Sequence, residues 1–164
     1  MPLRYASCIS EFLIHFSKYI PMLPDLFYAN RQRSVRVDLS EIKQIVVNAL
    51  PHCVSRPRTK GITLPHDVEI TLLGEAAIAK VHAEFLDDPT PTDVITFEHG
   101  EILIGVSVAA ANARKYGHPV NHEVALCAIH GLLHLLGYDD RSEEERLMMH
   151  QRQNEILEVA IRSV

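Results

Sequence analysis

The segment Asn121–Leu136 constrains the fold more than any other stretch of the chain. Read as a helix, it carries Val124, Ala125, Leu126, Cys127, Ala128, Ile129, Leu132, Leu133, Leu135 and Leu136, so apolar side chains nearly encircle its axis. A helix that is hydrophobic all round needs neighbours on every side. It is too short for the roughly 20 apolar residues that cross a bilayer. The expectation is therefore a central core helix, packed by a sheet and by other helices.

Two histidines interrupt this apolar segment, in the run HGLLHLLGYDD at residues 130–140. Residues four apart share one helix face, so His130 and His134 present their imidazoles side by side. An imidazole in an apolar helix loses water and needs a compensating partner. Two neutral imidazoles at i and i+4 form half of a divalent-metal site. Gly137 lets the chain reverse, and Asp140 can then swing back to the same face as a third ligand. Asp139, one residue short, and His150, more distant, are the alternatives to Asp140. Cys127, three residues before His130, reaches that face only awkwardly. Three protein ligands leave one position open for a water that loses its proton near neutral pH, the arrangement of a catalytic rather than a structural zinc. Zinc proteases place a glutamate directly after the first histidine as general base. This chain has Gly131 there, which argues against peptidase chemistry.

The rest of the chain supplies the surroundings. Val35–Val37 reads as a short first strand, and Ile42, Ile45, Val46, Ala49 and Leu50 form a helical stripe, capped by Asp38 or Ser40 and stopped by Pro51. His52–His66 reads as a loop. Val68–Leu73 is a strand, and Glu75–Leu86 a helix with Ile78, Val81 and Phe85 inward. Val94–Phe97 and Glu101–Ile104 are two strands turning at His99-Gly100. Ser107–Tyr116 is a helix closed by Gly117. Asn121 caps the core helix, Gly137 ends it, and Ser142 with Glu145 forms a capping box for a last helix. The order of elements predicts an α+β single domain, a small mixed sheet of three to five strands with about five helices, and a metal site at the end of a buried helix. Residues 34–164 form this domain, and residues 1–33 an N-terminal extension. Met1–Phe27 lacks the basic start, unbroken apolar centre and cleavage site of a signal peptide. Three scattered cysteines without a C-x-x-C pair suggest a reducing cytoplasm rather than a disulfide framework.

The net charge of −5 disfavours a nonspecific nucleic-acid binder, yet it is unevenly spread. Residues 1–66 hold nine Lys/Arg against four Asp/Glu, and residues 67–164 hold seven against seventeen. Arg31, Arg33 and Arg36 form one basic cluster and Arg56, Arg58 and Lys60 another, either able to touch phosphates.

HGLLHLLGYDD, the upstream PTDVITF of Pro91–Phe97 and the GEILIG of Gly100–Gly105 together resemble the YbeY family of bacterial rRNA maturation factors. The likeness runs from about Val35 to the last helix. It implies a single α+β domain holding one Zn2+ per chain, endoribonuclease activity on single-stranded RNA, and a role in maturing small-subunit ribosomal RNA. Ribosomal RNA, the small subunit and ribosome-associated proteins are then the partners, with no membrane involved. His130 and His134 match the first two family ligands. Asp140 stands where the family usually has a histidine, and Leu86 where it commonly has an arginine for phosphate handling. Arg114, Lys115 or the Arg56/Arg58 cluster could replace that arginine. Thr92 and Asp93 could orient ligands, and Tyr138 could donate to a phosphate. The alternative reading is a ribosome assembly factor with a mainly structural metal and little catalysis.

Overall fold

A computed structural model describes residues 23–164, and the elements follow from the local chemistry of each segment. Strand β1 is Asp25–Asn30 and helix α1 is Leu39–Val54. Strand β2 is Asp67–Leu73, helix α2 Glu75–Leu86, strand β3 Val94–Phe97 and strand β4 Glu101–Gly105. Three helices complete the chain: α3 at Val106–Tyr116, α4 at Val120–Leu135 and α5 at Glu143–Ile161. The described residues thus form an α+β domain of five helices and one four-stranded mixed sheet, ordered β1-β2-β4-β3. Strand β2 runs parallel to both β1 and β4, while β3 is antiparallel to β4.

Side chains on the sheet alternate between two cores, as the two-residue period of a strand requires. Val68, Ile70, Leu72, Ile102 and Ile104 face the main core with α1, α4 and α5. Leu73, Ile95 and Leu103 face the other way and close a smaller core with Ile78 of α2. Helix α4 packs against α1, α3, α5, β3 and β4. Its Ile129, Leu132 and Leu133 are wholly buried, each such side chain contributing about 1.5–3 kcal/mol of transfer free energy.

One residue sets the distance between α4 and the sheet. A Cβ on Gly131 would lie 2.8 and 2.9 Å from Ile102 Cγ2 and Cδ1 and 2.9 Å from Thr96 Oγ1. The position that carries a glutamate in zinc proteases is thus pressed against β3 and β4, with no room for any side chain. At the other end of α4, Gly137 takes a positive φ of 85°, while Tyr138 N–H donates to the Leu133 carbonyl at 3.0 Å and Gly137 N–H to that of His134 at 2.9 Å. This pair of bonds is a Schellman ending, and it turns the chain back toward the helix it has just left.

Several local expectations are corrected by the structure. Val35–Val37 forms no strand; its valines pack on the main core, and the edge strand is Asp25–Asn30, inside the segment set apart as an extension. What recruits β1 is the backbone of β2, from Asp25↔Asp67 to Asn30↔Leu72, a long-range pairing that local composition does not announce. The reading of the chain before residue 23 lies outside the described residues. Pro51 does not stop α1, which runs on to Val54 because Cys53 continues its buried stripe. The carbonyl that Pro51 leaves without a partner belongs to Val47, which is half exposed. Asn121 does not cap α4, whose N-cap is Pro119; it accepts from Asp38 N–H at 3.0 Å and donates to Glu41 instead. Phe85 points outward rather than inward and is 59% exposed.

Gly131→Ala is expected to lower the unfolding free energy by about 1–3 kcal/mol, through overpacking against Ile102 and Thr96. Urea unfolding would show this as a lower midpoint, and an unchanged midpoint would mean that α4 can lift from the sheet freely.

Candidate metal centre

His130, His134 and Asp140 are brought together at the C-terminal end of α4, partly open to solvent, with side-chain exposures of 16%, 28% and 41%. The imidazoles come from one face of α4, and the turn at Gly137 carries Asp140 back to them. His130 Nε2 lies 3.0 Å from His134 Nε2, and Asp140 Oδ2 lies 3.7 and 3.9 Å from these two nitrogens. Atoms bound at 2.0–2.2 Å to one tetrahedral ion stand about 3.3–3.6 Å apart, so this triangle needs only small adjustments to hold one.

The hydrogen bonds behind the triangle decide its chemistry. His134 Nδ1 faces the Tyr138 carbonyl at 3.1 Å, and His130 Nδ1 faces Gln153 Oε1 at 2.8 Å. Both partners are acceptors, so in the neutral rings both Nδ1 atoms carry the proton and both Nε2 atoms present lone pairs. Burial holds the His130 imidazole below its usual range, which favours the neutral form. Two lone pairs and a carboxylate oxygen therefore converge with no proton between them. That acceptor-only cluster can hold a metal ion.

The other candidates fall into distinct places. Asp139 is held by Arg141, whose Nε donates to Oδ2 at 2.6 Å, and its carboxyl is held down to about 2 by that bond, so it is not available to the triangle. His150 lines a neighbouring cleft but lies outside the cluster of three. Cys127 is buried, and burial pushes its thiol up, which disfavours the thiolate a metal would need. Tyr138 uses its hydroxyl to donate to the Arg56 carbonyl at 2.9 Å, so it braces a loop rather than offering a free donor. Arg114 is exposed on α3 and lines neither cleft described below.

Two clefts meet at the triangle. The larger, of about 1050 Å³, is lined by His130, His134 and Asp140, by Thr92 and Asp93, and by Phe85 and Leu86. The smaller, of about 610 Å³, opens beside His130 and Asp140 and contains Asp93, Glu123 and His118. Asp93 lies at the junction of both; its Oδ1 accepts from Val94 N–H at 2.9 Å and from Thr92 Oγ1 at 3.3 Å.

Gln153 is the residue that sequence reasoning missed. It sits on the buried stripe Met149, Gln153, Ile156, Ala160 of α5, and a polar residue in such a stripe is the signal that could have found it.

Comparison with known proteins agrees with this architecture. The family model described as endoribonuclease YbeY matches residues 27–160. The chain belongs to the endoribonuclease YbeY family. An endoribonuclease YbeY of Bacillus cereus is 34% identical over 141 residues, covering 74% of this chain and 90% of the relative. One from Chlamydia trachomatis is 30% identical over 144 residues, covering 80% of this chain and 84% of the relative. One from Rhodococcus opacus is 36% identical over 111 residues, covering 56% of this chain and 62% of the relative, so the chain spans about three fifths of that relative's length. The solution structure of a Thermotoga maritima protein shares the fold, with a TM-score of 0.56 at 24% identity, covering 82% of this chain and 88% of that one. The YbeY match begins at residue 27, within β1. No described helix is long and apolar enough to cross a membrane.

Gln153→Leu is expected to weaken divalent-metal affinity by about 10–100-fold, because His130 loses the acceptor that fixes its tautomer and ring orientation. Competition with a chromophoric chelator measures this directly. Wild-type affinity in the variant would remove Gln153 from the site.

Proposed function

We propose that this chain is a metal-dependent endoribonuclease, cutting single-stranded RNA in the maturation of small-subunit ribosomal RNA in the cytoplasm, with one Zn2+ held by His130, His134 and Asp140. The observation that carries the reading is the acceptor-only triangle of these three side chains at the wall of an open cleft, in a chain of the YbeY family. Three ligands on a cleft leave room for substrate, whereas structural zinc sites are closed by four. The hydrolase domain in this reading takes in β1 and continues through α5.

When bound, a divalent ion supplies Lewis acidity toward a phosphoryl oxygen and lowers the pKa of a water molecule. The residues of the chain do the rest. Gln153 and the Tyr138 carbonyl hold the two imidazoles with their Nε2 lone pairs turned inward. Asp140 brings a negative charge that a third histidine would not, offsetting one charge of a divalent cation. Asp93 is the carboxylate placed to take a proton: Oδ1 is occupied by its two donors, and Oδ2 has no donor among the described residues. Thr92 steadies it. Gly131 excludes the glutamate of a peptidase mechanism, because no side chain fits between α4 and the sheet.

Elemental analysis of the purified protein should find about one zinc per chain, lost in His134→Ala and in Asp140→Ala but kept in Asp140→His. Cleavage of a single-stranded ribosomal RNA fragment should disappear with the metal. A wild type that takes up no zinc, manganese or other divalent ion would overturn the reading.

Asp93→Asn should keep the metal and lower kcat by about 10²–10⁴-fold, the range of general acid–base catalysis. Single-turnover cleavage is the measurement, and an unchanged rate would return Asp93 to a purely local role in starting β3.

A further inference from the structure

The larger cleft poses an electrostatic problem for a polyanion. Asp93, Glu98, Asp139 and Asp140 line it, and its lining cation among the described residues is Arg141, already paired with Asp139 at 2.5 Å. The wall formed by Phe85 and Leu86 is apolar, and both side chains are about 60% exposed. Phosphates therefore need positive charge from outside the lining.

The loop between α1 and β2 carries that charge and is fastened beside the metal centre. Arg58 N–H donates to the Leu136 carbonyl at 3.1 Å, and Tyr138 Oη donates to the Arg56 carbonyl at 2.9 Å. Thr59 is packed so closely on Gly137 that a Cβ there would lie 2.8 Å from Thr59 Oγ1. These contacts flank the turn between His134 and Asp140. Ile62 of the same loop lines the cleft. The backbone is thus held while the side chains of Arg56, Arg58 and Lys60 stay exposed.

The wall formed by Phe85 and Leu86 suits bases instead. Phe85 lies edge-on to Phe97 with ring centroids 5.0 Å apart, and Phe97 is stacked on His99 at 5.6 Å. Exposed aromatic rings beside a catalytic cleft are stacking surfaces for unpaired bases, and they discriminate against a duplex whose bases are already stacked.

We propose that single-stranded RNA crosses the larger cleft with its phosphates on the Arg56–Lys60 loop and its bases against Phe85 and Leu86. This placement rests on the endoribonuclease reading and adds to it the polarity of the bound strand. Loop and apolar lip lie on different elements, and Ile62 from the one and Phe85 and Leu86 from the other line the same cleft as His130, His134 and Asp140.

The test is fluorescence anisotropy with a labelled single-stranded oligoadenylate containing 2-aminopurine, titrated with the full chain between 50 and 300 mM KCl. Cleavage of a ribosomal RNA fragment is followed in parallel. Replacing Arg56, Arg58 and Lys60 by alanine should weaken binding about tenfold or more at low salt. It should also flatten the dependence of log Kd on log salt by about 2, each lost phosphate contact removing about 0.7. Arg56→Lys with Arg58→Lys should restore both. Phe85→Ala should weaken single-strand binding about fivefold and abolish 2-aminopurine quenching, with the salt slope unchanged. Phe85→Trp should restore the quenching and Phe85→Leu should not. An unchanged salt slope in the triple variant overturns the basic side, and unchanged quenching in Phe85→Ala overturns the apolar side. If those variants match a wild type that cleaves RNA, the placement falls and the endoribonuclease reading stands. A metal-loaded wild type that neither binds nor cleaves these strands removes both.

Discussion

The close approach of α4 to the sheet at Gly131 is the constraint on which the molecule depends. Because no Cβ fits between the helix and the side chains of Ile102 and Thr96, the helix settles directly on β3 and β4, and its remaining faces are covered by α1, α3 and α5. A helix held on so many sides cannot rotate to solvate its two imidazoles. His130 and His134 are fixed at its end, where the Schellman turn at Gly137 exposes them to a cleft and returns Asp140 to their side. Packing, helix termination and ligand geometry are consequences of one another here.

In the proposed metal centre, hydrogen bonding orients the candidate ligands from behind. The two ring nitrogens that face away from the cleft meet acceptors, a backbone carbonyl and the side-chain oxygen of Gln153. This choice of partner fixes the tautomer, and the tautomer determines that lone pairs point into the cleft. A donor in place of either acceptor would reverse the ring and leave a proton where a cation would otherwise sit. Asp139 and Asp140 are adjacent and chemically identical, yet they have different tasks: Arg141 engages the first, and the second is left for the triangle. Asp93, Glu98, Asp139 and Asp140 line the larger cleft, and the basic Arg56–Lys60 loop is fastened at the turn between His134 and Asp140.

How much of this was legible beforehand can be judged residue by residue. The alternation of VEITLL and the 3.6-residue periodicity of the helices lie within single segments, so β2, α2, β3, β4, α3 and α5 stand close to where local pattern puts them. The capping box at Ser142 and Glu145 likewise involves neighbours in sequence, and it forms as the motif implies. The edge strand does not, because β1 exists through hydrogen bonds to β2, about 40 residues away, while the more strand-like Val35–Val37 finds no backbone partner and only packs. Phe85 falls on the inward stripe of α2 by periodicity, yet α2 is a helix at the margin of a small core, too thin to cover it.

By itself the sequence determined the spacing His130–His134–Asp140, the glycine that turns the chain between them and the absence of a protease's glutamate at Gly131, because each is a matter of residue identity and the geometry of one helix and its ending. Only the tertiary structure decided the tautomer of His130, which depends on Gln153 from another helix, and the fate of Asp139, Tyr138 and Arg114, which depends on what each side chain meets. It also decided that the Arg56–Lys60 loop, rather than Arg114, lies beside the centre. The physical reason is the same in every case: a periodic pattern records which face of an element is buried, but not which distant residue buries it.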